Sequence, residues 1–175
     1  MSEIFFFSGF FWAFFHLAGH SSAQLGDCWP SILLDPVEAY GIPLFNTFLL
    51  LSSGLRVTWR HHSLMSGDFK AALGSLGLTV LLGTVFLSFQ MYEYYVIPYT
   101  LRDSAYYSCF FMLTGFHGFH VFVGRLMLAA RSYRINSGYF RPESHGLFEA
   151  SIWYWHFVDV VWLILFVFVY WATFC

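Results

Sequence analysis

Apolar residues gather into five runs, at 4–19, 42–59, 71–89, 104–130 and 147–172, separated by short polar breaks. A helix that crosses a membrane needs about 20 mostly apolar residues, with a range of about 17 to 25. Four runs meet that length and the first is marginal. A membrane β-barrel would instead need segments of alternating polarity, and clusters such as Phe5-Phe6-Phe7 and Phe10-Phe11-Trp12 do not alternate. The pattern therefore predicts an all-α, polytopic membrane bundle of five transmembrane helices. Its breaks carry helix-ending chemistry: Pro30, Pro36 and Pro43, then Ser66-Gly67-Asp68, then Pro98 with Asp103, then Asn136-Ser137-Gly138 with Pro142. No break is long enough for an interdomain linker and no internal repeat is visible, so 1–175 reads as one transmembrane domain.

Composition excludes several classes of function. Of 175 residues 58% are hydrophobic, 23% aromatic and only 10% charged, against about 25% charged in an ordinary soluble protein. A soluble enzyme is excluded. The net charge is -2 and the 8 Lys and Arg are scattered, which leaves no basic field for a nucleic acid. Cys28, Cys109 and Cys175 form no CxxC pair, so neither a disulfide framework nor a thiolate metal site is predicted.

Charge asymmetry sets a direction. With five spans, Arg56, Arg60, Lys70, Arg125, Arg131, Arg134 and Arg141 fall toward one face, and Arg102 alone toward the other. Lys and Arg stay on the non-translocated side. The N-terminus is thus expected on the positive side, and Cys175 on the opposite, acidic side with Asp27, Asp35 and Glu38. Met1-Ser2-Glu3 enters the apolar run without an Arg-rich amphipathic leader or a basic signal region, which predicts insertion from the side of synthesis.

Ionisable groups inside apolar runs cost at least about 2.5 to 3.5 kcal/mol on insertion scales, so each needs a partner or a task. In the last run Glu149, His156 and Asp159 follow at intervals of seven and three with Trp153 between them, one helical stripe expected to face neighbouring helices. Packing is one reading, and a proton relay or metal site the other. A catalytic metal normally wants three protein ligands and this helix supplies at most two. His117 and His120 stand at i and i+3 among glycines that allow close helix approach. They suit interhelical hydrogen bonds, or ligation of a metal or haem. His61 and His62 end a helix, where interfacial anchoring explains them. Trp12 and His16 share a face, whereas Glu3 falls about 180° away from Trp12 at 100° per residue. On spacing alone Glu3 is a solvated terminal acid.

Six stretches together resemble subunit III of the haem-copper cytochrome c oxidases. They are residues 2–7 through 10–14 with His16; 43–47; 57–59 with 61–65; Glu93-Tyr94; 114–121; and Phe148-Glu149-Ala150 with 153–162. They follow the family's order and cover nearly the whole chain. The resemblance implies a core subunit without a redox centre of its own, in a proton-pumping enzyme that moves electrons from cytochrome c to oxygen. Haem and copper would sit in partner subunits, and catalytic subunits I and II would be its neighbours. Such subunits hold structural phospholipids in a cleft and help sustain proton uptake.

By the same resemblance Glu3 matches the family's membrane carboxylate, and Trp12 and His16 match positions near bound lipid. His117, His120, Glu149, Trp153, His156 and Asp159 match a polar interior. The implied location is the mitochondrial inner membrane, with the N-terminus on the matrix side, the C-terminus in the intermembrane space, and an organelle gene as source. The five runs match helices three to seven of a seven-helix subunit, so a separate chain is expected to supply the first two. Arg60 stands where the family has a small apolar residue, and the 20–41 connection diverges. Two rivals remain. A free-standing membrane haem or metal enzyme would use His16, His117, His120 and His156 as ligands, and a transporter would need broken helices or a repeat around a midplane site.

Overall fold

The computed structural model describes residues 2–20, 29, 37–65, 69–137 and 146–171, of which 59–65, 69–72 and 146–148 are described by their backbone alone. Cys28, Cys175, Asp27, Asp35, Arg141, Pro30, Pro36, Pro142 and the break at Ser66-Gly67-Asp68 lie outside the described residues. So do the side chains of Arg60, His61, His62 and Lys70.

Five α-helices follow one another: α1 (Ser2–Ala18), α2 (Ile42–Met65), α3 (Phe69–Val96), α4 (Ala105–Asn136) and α5 (Gly146–Leu165), the last continued by a π-helical stretch, Phe166–Trp171. No extended sheet forms among the described residues, and the architecture is an all-α bundle. Among the described residues three helices are long and apolar enough to cross a membrane, Leu73–Val96, Ala105–Asn136 and Glu149–Trp171. The 17 residues of α1 reach about 26 Å at 1.5 Å per residue, and the side chains of α2 are described only as far as Thr58.

Helix ends overrun the apolar runs. The third run was expected to stop at Phe89, but α3 continues through Gln90 and Glu93 to Val96 because these two polar residues bond inside the bundle, Gln90 Nε2 donating to Glu93 Oε2 at 3.1 Å. α4 starts at Ser104, an N-cap in extended conformation whose hydroxyl accepts from the Tyr107 amide at 3.1 Å. This satisfies one of the orphan donors of the first turn. At its far end the Ser137 amide donates to the Tyr133 carbonyl at 3.0 Å.

Sequential helices pack as neighbours, α2 on α3, α3 on α4 and α4 on α5, and α5 closes the ring against α2, while α1 lies outside it against α4. The core is aromatic. Trp155 and Trp162 of α5, Phe86 of α3 and Phe110 of α4 are fully buried. Phe86 meets Trp162 edge-on at 4.8 Å between ring centroids, within the range aromatic pairs favour.

Candidate functional site

Trp155 stands where four helices meet. Its indole N–H on α5 donates to the Ser53 hydroxyl on α2 at 3.0 Å. The ring lies against Gly83 of α3, where an added Cβ would come within 2.8 Å, and against Gly124 of α4, where it would come within 3.1 Å. Two glycines thus admit one large ring from both sides. Two turns further on, the same α5 face makes another tie: Trp162 Nε1 donates to Thr47 Oγ1 of α2 at 3.0 Å, and Ser53 and Thr47 pass their own protons to helix carbonyls, of Leu50 and Pro43. Hydroxyls bonded in this way satisfy the indoles without leaving a bare donor in an apolar interior.

His117 of α4 is buried and donates from Nε2 to the Val158 carbonyl of α5 at 3.2 Å, with its ring 5.1 Å from that of Trp162. His120, one turn on, is engaged at both nitrogens. Nδ1 donates to the Phe116 carbonyl at 2.7 Å, and Nε2 lies 2.8 Å from Glu3 Oε2 on α1. Since Nδ1 already carries a proton, one further proton must lie between Nε2 and Oε2, making either an imidazolium and a carboxylate or a neutral imidazole and a carboxylic acid. Spacing within α1 makes Glu3 a free solvated acid; tertiary contact instead gives it an imidazole partner while leaving its side chain 47% exposed.

Trp12 and His16, expected on one face of α1, stack at 5.3 Å between ring centroids, and His16 also meets His20 at 4.4 Å. Both lie on the outside of the described bundle, Trp12 70% exposed. They are not brought to His117 or His156.

The α5 stripe divides. Asp159 is buried, with its carboxylate against Gly54 of α2, whose hydrogen leaves the room that a Cβ would fill. His156 is half-buried, 3.1 Å from Thr58 Oγ1 through Nε2 and 3.9 Å from Asp159 Oδ2 through Nδ1. Glu149 and Trp153 were expected in the polar interior, but both are exposed, Trp153 at 78%. The reason is angular. Trp155 and Trp162 centre the buried face, and at 100° per residue Glu149 lies about 120° and Trp153 about 160° around the helix from Trp155.

Further buried polar groups lie near the opposite end. Glu93 Oε2 accepts from Gln90 and from the Tyr170 hydroxyl at 3.2 Å, and Tyr106 donates to the Val169 carbonyl at 2.9 Å. The π-helical stretch therefore presents one side chain and one carbonyl to the bundle within two residues. Tyr94 and Thr114 join α3 to α4 at 2.6 Å. A carboxylate in line with apolar helix residues was the signal for Glu93; its position just past the third run concealed it. Among the described residues no group of three or more His, Cys, Asp or Glu is arranged to hold a metal ion. The histidines named as possible ligands are spent on separate partners, a carbonyl, a carboxylate, a hydroxyl and a stacked ring.

These observations define a class, a multi-pass membrane helix bundle whose intramembrane polar groups are bonded from helix to helix. Comparison with known proteins narrows it. The family model for cytochrome c oxidase subunit III matches residues 1–174. Cytochrome c oxidase subunit 3 of Cyprinus carpio is 51% identical over 170 residues, covering 97% of this chain and 65% of the relative; that of Danio rerio has the same figures. That of Scyliorhinus canicula is 49% identical over 171 residues, 98% of this chain and 66% of the relative. The chain belongs to the cytochrome c oxidase subunit III family, and it spans about two thirds of the length of the curated relatives it matches.

Proposed function

We propose that the chain serves as a non-catalytic core subunit of a proton-pumping cytochrome c oxidase in the mitochondrial inner membrane, with its N-terminus on the matrix side. In this reading it braces catalytic subunits I and II, organises bound phospholipid and supports proton uptake. Electrons pass from cytochrome c to oxygen through haem and copper held by the partner subunits. The observation that carries the reading is the family match over residues 1–174. The bonding of the intramembrane histidines supports it, because His117 and His120 tie helices together within the bundle. Trp12 and His16 lie on the outer side of α1, where lipid would meet the bundle, and Glu3 lies on the side turned to His120 of α4, where a proton path would meet it.

His156→Ala tests the division of labour. It removes the Thr58 contact and the imidazole 3.9 Å from Asp159. Weaker assembly or faster inactivation during turnover is expected, with the haem spectrum unchanged in the complex that does assemble. A shifted haem spectrum in an intact complex would overturn the reading and make His156 a ligand.

A further inference from the structure

Arg125 lies within the long apolar helix α4. Its guanidinium donates to Thr84 Oγ1 at 3.0 Å and sits 5.2 Å above the Phe122 ring. On α4 the cation comes six residues before Arg131, about 9 Å along the axis at 1.5 Å per residue, and within the apolar helix Ala105–Asn136. Among the described residues no carboxylate is within ion-pair reach of it, and a hydroxyl and a ring do not neutralise a charge. Charged groups inside a spanning helix pair with an opposite charge or with backbone carbonyls.

The guanidinium stands at one end of a groove of about 550 Å³ between α3 and α4, lined by Gln90, Gly115, Gly118, Phe119, Phe122 and Arg125 among others. Nothing inside the bundle requires the glycines. A Cβ at Gly115 or Gly118 would meet its nearest atom only at 4.0 Å. What their hydrogens provide is the groove itself, and small residues three apart let a second backbone approach closely. Gln90 lines the same groove and is 3% exposed. Its amide nitrogen is used by Glu93, and its carbonyl oxygen has no partner among the described residues. The groove thus offers a cation and, six residues along α3 or about 9 Å away, a buried acceptor.

We propose that this groove receives a transmembrane helix of another polypeptide, which presents an Asp or Glu to Arg125 and a hydrogen-bond donor to Gln90. A phosphate group brings acceptors only and leaves the Gln90 carbonyl unpaired, whereas a protein segment can carry both a carboxylate and a donor, which favours the helix. The inference requires a membrane assembly and does not depend on which reaction that assembly performs.

The test is photo-cross-linking in the full complex, in its own membrane, from a photoreactive residue in place of Phe119, which is 62% exposed in the groove. The expected product joins Phe119's position to a transmembrane segment of another chain that contains an acidic residue. In an otherwise unaltered complex Arg125→Gln should cut the yield of that product about tenfold or more, as loss of a buried charge partner does, while Arg125→Lys retains most of it. Gly118→Leu, which fills the groove and keeps the charge, should abolish it. Cross-links to phospholipid, to a second copy of this chain, or to a helix without an acidic residue would overturn the proposal. So would a yield unaffected by Arg125→Gln. Should that variant fail to assemble, the identity of the segment cross-linked with Arg125 intact still decides.

Discussion

Glu3 Oε2 and His120 Nε2 lie 2.8 Å apart although 117 residues separate them in the chain. This bond fastens α1, the helix outside the four-helix ring, to α4. Its value is moderated by the exposure of Glu3, so loss of either group should weaken docking of α1 by about 1 kcal/mol. A double-mutant cycle with Glu3→Ala and His120→Ala, read as protease susceptibility of α1 in the assembled complex, checks this. The double variant is expected to be little worse than the poorer single one, whereas strict additivity would show that the two groups act separately.

Gly83 and Gly124 admit Trp155 from two sides, and the available space ranks their substitutions. At Gly83 a Cβ would sit 2.8 Å from the Trp155 ring, and at Gly124 3.1 Å. Overpacking of this kind costs about 1 to 3 kcal/mol. Gly83→Ala should lower the dissociation temperature of the complex more than Gly124→Ala, and Gly77→Ala, which meets nothing within 4 Å, should leave it unchanged.

Trp162→Phe keeps most of the buried ring and removes one donor. Thr47 then loses the indole N–H but still bonds the Pro43 carbonyl, so no buried hydroxyl proton is stranded. A cost of about 1 kcal/mol is expected. Thr47→Val should cost more, because it leaves the indole N–H buried without an acceptor. Thermal denaturation of the two variants in the same detergent tests the order.

Asp103, just before the N-cap of α4, accepts from both the amide and the hydroxyl of Thr100, the latter at 2.9 Å. These bonds, the backbone one foremost, hold its carboxyl below the usual Asp value. A pKa lowered by folding contributes stability above the unfolded value of about 3.9, which is lost as pH falls through the lower folded value. Protection of the Thr100 amide from hydrogen exchange, corrected for intrinsic rate, should therefore hold from neutrality down to about pH 4 and fail only below it. Loss of protection near neutral pH would contradict this.

Helix number and order were legible because long apolar runs have few alternatives in a chain so poor in charge. The pairing of His117 with α5 was not, since nothing in its spacing names Val158 as its acceptor. Glu3 illustrates the limit most clearly: one helix's angular arithmetic separates it from Trp12, and only packing of α1 on α4 supplies its partner. Glu149 and Trp153 fail in the other direction. They share a stripe with His156, but a stripe is wider than a contact, and the burial of Trp155 and Trp162 turns those two outward. Gln90 and Glu93 looked like the end of a helix because polar residues usually end apolar runs. Here they bond each other and Tyr170, and α3 runs on through them.

The most direct test is mass spectrometry, with haem and metal analysis, of everything that purifies with this chain from native membranes in mild detergent. The proposed role predicts that it emerges with the large haem-bearing and copper-bearing subunits and, once separated from them, carries no metal. A chain that emerges alone with stoichiometric haem or metal would contradict that role, and His16, His117, His120 and His156 would have to be its ligands.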